Sequence, residues 1–229
     1  MLKVGVIGLG VGERHVEAFQ QHSGSMVTAV SDLDREKAVE VADRHGVGMV
    51  FNTAEELLTD STIDVVSIAS YDDVHFDQIM LALEHGKHVF AEKPFCLFDH
   101  ESIAIRSVLN ANPHLKFGSN FILRKSPRFL KLKSLIEEGA MGRVYNIEGS
   151  YNYGRVNKIT EGWRGGLDFY SVVHGGAIHI IDLILSVSGK RVVEVSAVGS
   201  RIATEGTPFK FNDSVTAVLE FDDGSAVIV

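Results

Sequence analysis

The order of apolar runs and polar turns predicts an α/β protein, and three observations carry that expectation. The chain opens on an apolar run, Val4, Val6 and Ile7, that meets Gly8, Gly10 and Gly12 and then turns polar and helical. Strand-like and helix-like stretches alternate across short connections up to Ser119, the pattern of a right-handed, doubly wound parallel sheet. Beyond a boundary near Asn120, strand-like stretches gather from Val192 to the end, the last two joined across Asp222-Asp223-Gly224. The expected architecture is therefore a Rossmann-type parallel sheet over residues 1–120, followed by an α+β domain over 121–229 with an open, mostly antiparallel sheet.

Composition narrows the function. The chain has 229 residues, 45% of them apolar, which is ordinary for a folded domain. Thirty acidic against twenty-two basic residues give a formal charge of −8. That favours solubility and argues against a phosphate-backbone binder, so nucleic acid is not an expected partner. The single cysteine, Cys96, forms no internal disulfide and offers no thiolate cluster, so a reducing compartment and no metal are expected. The first apolar stretch is too short and glycine-rich for a signal peptide, and the apolar run around Ile178 is broken by His179 and Asp182 before spanning length. A cytoplasmic protein without a membrane partner is the expectation.

Lys3 to His15, KVGVIGLGVGERH, has the make-up of a dinucleotide turn. In such a turn the first glycine allows a tight bend, the second lets the backbone approach a pyrophosphate, and the third lets helix and strand pack closely. Gly8 and Gly10 fit the first two roles, with Val11 in the same turn. The third is displaced, because G-x-G-x-x-G requires glycine at position 13 and the chain has Gly12 followed by Glu13. Glu13 to His22 reads as a helix and Met26 to Val30 as a strand ending at Ser31-Asp32. An acid about 20 residues beyond the glycine turn accepts hydrogen bonds from an adenosine ribose. Either Asp32 or Asp34 caps the helix Arg35 to His45, leaving the other to bind. A carboxylate at Asp32 repels a 2′-phosphate, so NAD is expected over NADP, with Arg35 and Lys37 tempering the preference.

A strand at Met49 to Phe51 and a helix from Ala54 to Leu58 lead to Asp64 to Ala69, DVVSIA, apolar on both faces as a buried parallel strand should be. A polar loop from Ser70 to His75 enters the helix Phe76 to His85, closed by Gly86. The strand Lys87 to Ala91 ends in Glu92-Lys93-Pro94, and a helix from Asp99 to Asn110 and a strand from Leu115 to Ser119 complete the first domain. Gly8, Asp32, Ser70 and Lys93 all fall at carboxyl ends of strands, where parallel sheets bind ligands. Partial burial of a lysine at such a tip lowers its pKa toward neutrality and lets it exchange a proton with a hydroxyl or carbonyl as hydride moves. The plain alternative is an ion pair with Glu92 or another carboxylate.

In the second half, Arg124, Lys125, Arg128, Lys131 and Lys133 surround a helix running to Glu138, the usual look of a solvated face. Val144 to Tyr153 alternates loosely and is expected as the first strand of the second sheet. Trp163-Arg164 falls in a polar loop. His174 to Val187, HGGAIHIIDLILSV, reads as a helix apolar nearly all round, hence buried. His179, Asp182 and Ser186 form one polar stripe on it. A buried carboxylate needs a partner, and His179 is the natural one for Asp182. The stripe either faces a polar cleft or is a satisfied core pair. Val192 to Ala203, Ser214 to Phe221 and Ala226 to Val229 are expected strands, the last leaving an unpaired edge.

Three of these stretches together resemble the Gfo/Idh/MocA oxidoreductase family: the opening GLGVGERH, the run IASYDDVHFDQIMLALEHGKHVFAEKP, and HIID. Aligned on His15, the glycine turn is one residue short, which leaves Gly12 the packing role. The long run is similar to A-T-P-N-x-x-H followed by A-G-K-H-V-x-x-E-K-P, with Ser70 for threonine, Tyr71 for proline, Asp72 for asparagine, and His75 kept. The resemblance implies an NAD-binding domain with Ser70, Tyr71, His75 and Glu92 at the cofactor, Lys93 near the reacting substrate oxygen, and a cis bond before Pro94. It implies a second domain that serves substrate and homo-oligomer contacts, with Arg124, Trp163, Arg164 and His174 at a sugar-like or cyclitol substrate. The family's helix pattern is D-x-x-x-H-x-x-D, whose first aspartate and histidine relay a proton with the lysine. His179 and Asp182 match the last two positions, but Gly175 replaces the aspartate, and neighbouring His174 is the candidate substitute. Members of the family are longer, so the second domain is expected to be incomplete. NAD-assisted glycoside cleavage and cofactor-sensing regulation are the other activities the resemblance admits.

Overall fold

Six parallel strands build the first of the two units, Met1–Asn120 and Phe121–Val229, into which the computed structural model divides; it covers residues 1–229. In chain order the first unit runs β1 (Leu2–Ile7), α1 (Gly12–Gln21), β2 (Ser25–Ser31), α2 (Arg35–His45), β3 (Met49–Val50), α3 (Ala54–Thr59), β4 (Val65–Ile68), α4 (His75–Glu84), β5 (His88–Ala91), α5 (Asp99–Ala111) and β6 (Phe117–Ser119). The sheet order is β3-β2-β1-β4-β5-β6 with every pairing parallel. This is the doubly wound order, which reverses direction between β1 and β4. Both faces of the sheet are apolar because helices cover both. Val4 and Val6 pack with Val16, Val30 and Val41 on one side, while Ile7, Val66 and Ile68 pack with Leu57, Ile79 and Ile105 on the other. Local caps fix the helix starts: the Asp34 side chain accepts from the Lys37 N–H, and Thr53 with Glu56 forms a reciprocal capping box.

Lys87, expected as the first residue of a strand, stands just before β5 and is 2% exposed. Its ammonium donates to the carbonyls of Asp60 and Ile63, the latter at 3.0 Å, and so ties off the turn that follows α3. Burial pushes its pKa down, against the raising charges of Asp60 and Asp64.

The second unit comprises α6 (Pro127–Glu137), β7 (Asn146–Glu148), α7 (Asn157–Thr160), α8 (Ile178–Ser188), β8 (Val192–Ser200), β9 (Ser214–Phe221) and β10 (Ala226–Ile228). Its sheet order is β7-β10-β9-β8, parallel between β7 and β10 and antiparallel elsewhere. Ile180, Ile184 and Leu185 of α8 rest on Leu219, Phe221 and Val227. Three expectations are corrected here. The strand expected over Val144 to Tyr153 shrinks to β7, because its partner β10 is itself three residues long and pairing stops with the Gly149 N–H on the Ile228 carbonyl. The expected edge strand at Ala226 to Val229 is interior, so the open edges are β7 and β8. The helix expected from His174 becomes α-helical only at Ile178; Val173–Ala177 is a π turn, closed by the Ile178 N–H on the Val173 carbonyl. No helix is long and apolar enough to cross a membrane.

Candidate functional site

The carboxyl edge of the first sheet gathers the glycine turn and the polar strand tips. Gly8 follows β1 with φ +79°, and a Cβ there would lie 2.4 Å from the Ala69 carbonyl oxygen. The tips of β1 and β4 therefore touch at the point where the strand order reverses, which only glycine permits. Gly10 faces open space: the nearest atom to a Cβ built on it is Lys37 Nζ, at 4.0 Å. At Gly12 the same Cβ would meet Val6 Cγ1 at 3.2 Å and Ala69 Cβ at 3.3 Å. The shortened turn thus keeps the bend at Gly8, open space at Gly10 and close packing at Gly12. Val11, exposed at the N-cap of α1, gives no side-chain cap to the helix.

Asp32 and Asp34 divide the tasks that sequence left open between them. Asp34 caps α2, whereas Asp32 braces the turn: its Oδ2 accepts the Leu9 N–H at 2.5 Å and its Oδ1 the Asp34 N–H at 2.9 Å. Lys37 Nζ stands 3.5 Å from Asp32 Oδ2. After β4, the Ser70 hydroxyl donates to Gln78 Oε1 at 2.7 Å, and Tyr71 is exposed. His75, implied as a cofactor contact, is instead fully buried. Its Nδ1 lies 2.7 Å from the Pro94 carbonyl and its Nε2 3.1 Å from the Ser70 carbonyl, so it staples the loop after β4 to the loop after β5.

At the tip of β5 stand Glu92, Lys93 and a cis Lys93–Pro94 bond. Glu92 Oε1 lies 3.1 Å from His15 Nε2 and accepts from Asn120 Nδ2 at 2.7 Å. Its Oε2 accepts the Lys93 N–H at 3.3 Å. Burial alone raises the pKa of this carboxyl, but the hydrogen bonds from His15 and Asn120, the His15 charge and the Lys93 N–H outweigh it and hold the group below the usual glutamate range. Along the sequence His15 serves only to align the glycine turn, because its partners lie 52 and 77 residues away. Beyond the tip, burial and the charges of Glu101 and Asp99 push the half-buried Cys96 thiol up to about 11.

In the second unit, His179 and Asp182 lie buried on α8. Asp182 is gripped by Arg124: Nε reaches Oδ2 at 2.8 Å and Nη2 reaches Oδ1 at 2.6 Å, a bidentate pair. Arg124, still half exposed, is thus paired with a carboxylate of its own unit, and this arginine grips the carboxylate for which the sequence suggested His179. Lys133 Nζ donates to the Ser186 carbonyl at 3.0 Å, so the polar stripe of α8 faces the segment from Ile122 to Glu137. Arg164 stacks over the Trp163 ring at 4.3 Å within a turn of 3₁₀ helix. His174 sits in the π turn with its ring centroid 5.9 Å from that of Phe169 in an edge-on arrangement, and the Tyr151 and His179 ring centroids are 6.1 Å apart.

Gly175 explains why no carboxylate stands there. A Cβ on it would come within 2.1 Å of the buried Tyr170 hydroxyl. The strand of backbone around Tyr170 also lines, with Lys210, Phe211 and Asn212, a cleft of about 340 Å³ that the sequence reading passed over. Its only sequence signal is the recurrence of phenylalanine at 169, 209 and 211.

A dinucleotide fits the edge of the first sheet, where a bent glycine turn opens to space at Gly10, α1 begins without a cap, and a braced carboxylate stands at the tip of β2. Comparison with known proteins agrees. Residues 2–111 match the oxidoreductase family model GFO_IDH_MocA, described as an NAD-binding Rossmann fold, and residues 129–229 match the GFO/IDH/MocA C-terminal domain. The chain is 28% identical to YrbE, an uncharacterised oxidoreductase of Bacillus subtilis, over 98% of this chain and 65% of that protein. It is 29% identical to the myo-inositol 2-dehydrogenase of Thermotoga maritima, over 100% of this chain and 67% of that enzyme. Among solved structures, scyllo-inositol dehydrogenase from Lactobacillus casei with bound NAD(H) and scyllo-inositol is similar with a TM-score of 0.87 at 24% identity, over 100% of this chain and 68% of that one. The chain spans about two thirds of the length of these relatives.

Proposed function

The chain belongs to the Gfo/Idh/MocA family of oxidoreductases, and on that ground we propose that it is an NAD-dependent dehydrogenase or reductase of a sugar, cyclitol or sugar-derived alcohol or ketone. The observation that carries this reading is the tip of β5, where Lys93 follows a fixed Glu92 on the same sheet edge as the glycine turn. Gly8, Gly10, Val11, Gly12 and Asp32 hold the cofactor, with Ser70 and Tyr71 beside it. Bound there, NAD would supply the acceptor for the hydride that leaves the substrate carbon with its electron pair. The hydroxyl proton passes to the Lys93 amine as the carbonyl forms, and the reduction reverses both transfers.

His179 shares the handling of that proton, with Asp182 and Arg124 holding its helix in place. His174 takes the part left by the aspartate absent at Gly175. The π turn supports this assignment, because its slower rotation per residue brings position 174 nearer the face of His179 than a plain α-helix would. The inositol dehydrogenases among the relatives support a cyclitol as substrate. A homo-oligomer built through the second sheet completes the reading. Cofactor sensing without turnover is the second reading, favoured by Gly175, and NAD-assisted glycoside cleavage is a variant of the first.

Lys93→Met tests the proposal. With NAD and either myo-inositol or scyllo-inositol, turnover is expected to fall by ~10²–10⁴-fold, the usual worth of a positioned acid or base. NADH affinity, followed by fluorescence, is expected to stay as it was. Tight NADH binding by the unaltered chain with no turnover across a panel of cyclitols and sugars would favour the sensing role instead.

A further inference from the structure

We propose that His15 is a positioning residue for Lys93, acting through Glu92; the role rests on the dehydrogenase reading above. His15 lies on α1, directly behind the glycine turn, and is 6% exposed. A buried imidazole needs partners for both ring nitrogens. Nδ1 is 2.8 Å from the Ser67 hydroxyl on β4, and Nε2 is 3.1 Å from Glu92 Oε1. An ionised carboxylate only accepts, so Nε2 carries a proton and donates to it, while Nδ1 pairs with the serine hydroxyl. Phe90 packs edge-on against the ring at 5.5 Å and limits its rotation.

Asn120 completes the arrangement from the end of β6. Its side-chain amide donates to the same carboxylate oxygen at 2.7 Å, and its backbone N–H donates to the Ala91 carbonyl at 2.9 Å. Elements on both sides of β5 therefore converge on one oxygen of Glu92. The other oxygen receives the Lys93 N–H. Pinning the first oxygen orients the carboxylate, and the carboxylate orients the peptide from which the Lys93 side chain springs. The helix behind the glycine turn and the proton-handling tip are thereby built as one rigid piece, which catalysis by a placed lysine requires.

The test compares His15→Ala, His15→Gln and His15→Asn in the full chain. A glutamine amide nitrogen reaches the place of Nε2 and keeps the donor to Glu92; asparagine reaches only the place of Nδ1. His15→Ala is expected to lower kcat for myo-inositol or scyllo-inositol oxidation by roughly 10-fold to 10²-fold, the cost of a displacement of about 1 Å, with the KM for NAD unchanged. His15→Gln should recover most of that loss and His15→Asn should not. Independently of turnover, hydrogen exchange at the backbone amides of Ala91, Glu92, Lys93 and Phe95 is expected to quicken in the alanine and asparagine variants and to match the unaltered chain in the glutamine variant. Losses equal in all three variants and proportional to their fall in Tm would overturn the proposal and leave His15 a packing residue. If the unaltered chain turns over neither inositol, the dehydrogenase reading fails on that substrate class. The exchange series then decides on His15 alone: glutamine rescue supports the positioning role and its absence rejects it.

Discussion

A single lysine sets how sharply the glycine turn tells NAD from NADP. Asp32 accepts two backbone N–H bonds and so is fixed in place, but Lys37 stands 3.5 Å away and offsets its charge. The carboxylate repels a 2′-phosphate while the ammonium attracts it. NAD is expected to bind more tightly than NADP, and Lys37→Ala to widen the gap by about tenfold, the equivalent of ~1.4 kcal/mol for an ion pair near the surface. Calorimetric titration with each cofactor checks this. A Lys37→Ala chain that binds NADP as well as before would leave discrimination to Asp32 alone. The places of Asp32 and Lys93 at strand tips were legible in sequence because glycine turns and strand ends are local patterns. The Arg124–Asp182 pair was not, since its members lie 58 residues apart and nothing local links them.

At the scale of elements, the head of α8 is the place where sequence pattern and structure part. The period of apolar residues from His174 to Val187 predicts one helix, but two adjacent glycines let the first turn widen into a π turn. Tyr170 then fills the space above Gly175. Gly175→Asp therefore does not simply restore a carboxylate, because its Cβ collides with the Tyr170 hydroxyl. Thermal denaturation should show a loss of roughly 1–3 kcal/mol, the usual cost of overpacking. A variant as stable as the parent would mean that Tyr170 swings aside freely. The strands were legible for a different reason: in the first unit each is bracketed by its own turn chemistry, whereas the length of β7 depends on β10, some eighty residues later.

For the whole molecule, two sheets of opposite character meet different fates at their edges. The parallel sheet ends in β3 and β6, two and three residues long, too short to invite pairing. The second sheet ends in β8, nine residues long, with Val193, Val195 and Val198 exposed. Self-association through that strand is expected, visible in sizing chromatography as a size that grows with concentration, and Val198→Lys should weaken it. A monomer at every concentration would show that β8 does not pair. The formal charge of −8 acts against indiscriminate aggregation while leaving a specific pairing possible.

The quiet chemistry of Cys96 makes the chain a convenient background for covalent reporters. A half-buried thiol pushed up to about 11 holds almost no thiolate at neutral pH and alkylates slowly. Val11, by contrast, already carries an exposed side chain in the glycine turn. A thiol introduced by Val11→Cys stands nearly alone in its reactivity, and whatever occupies the turn shields it. Occupancy then becomes a labelling rate, measurable before any substrate is known.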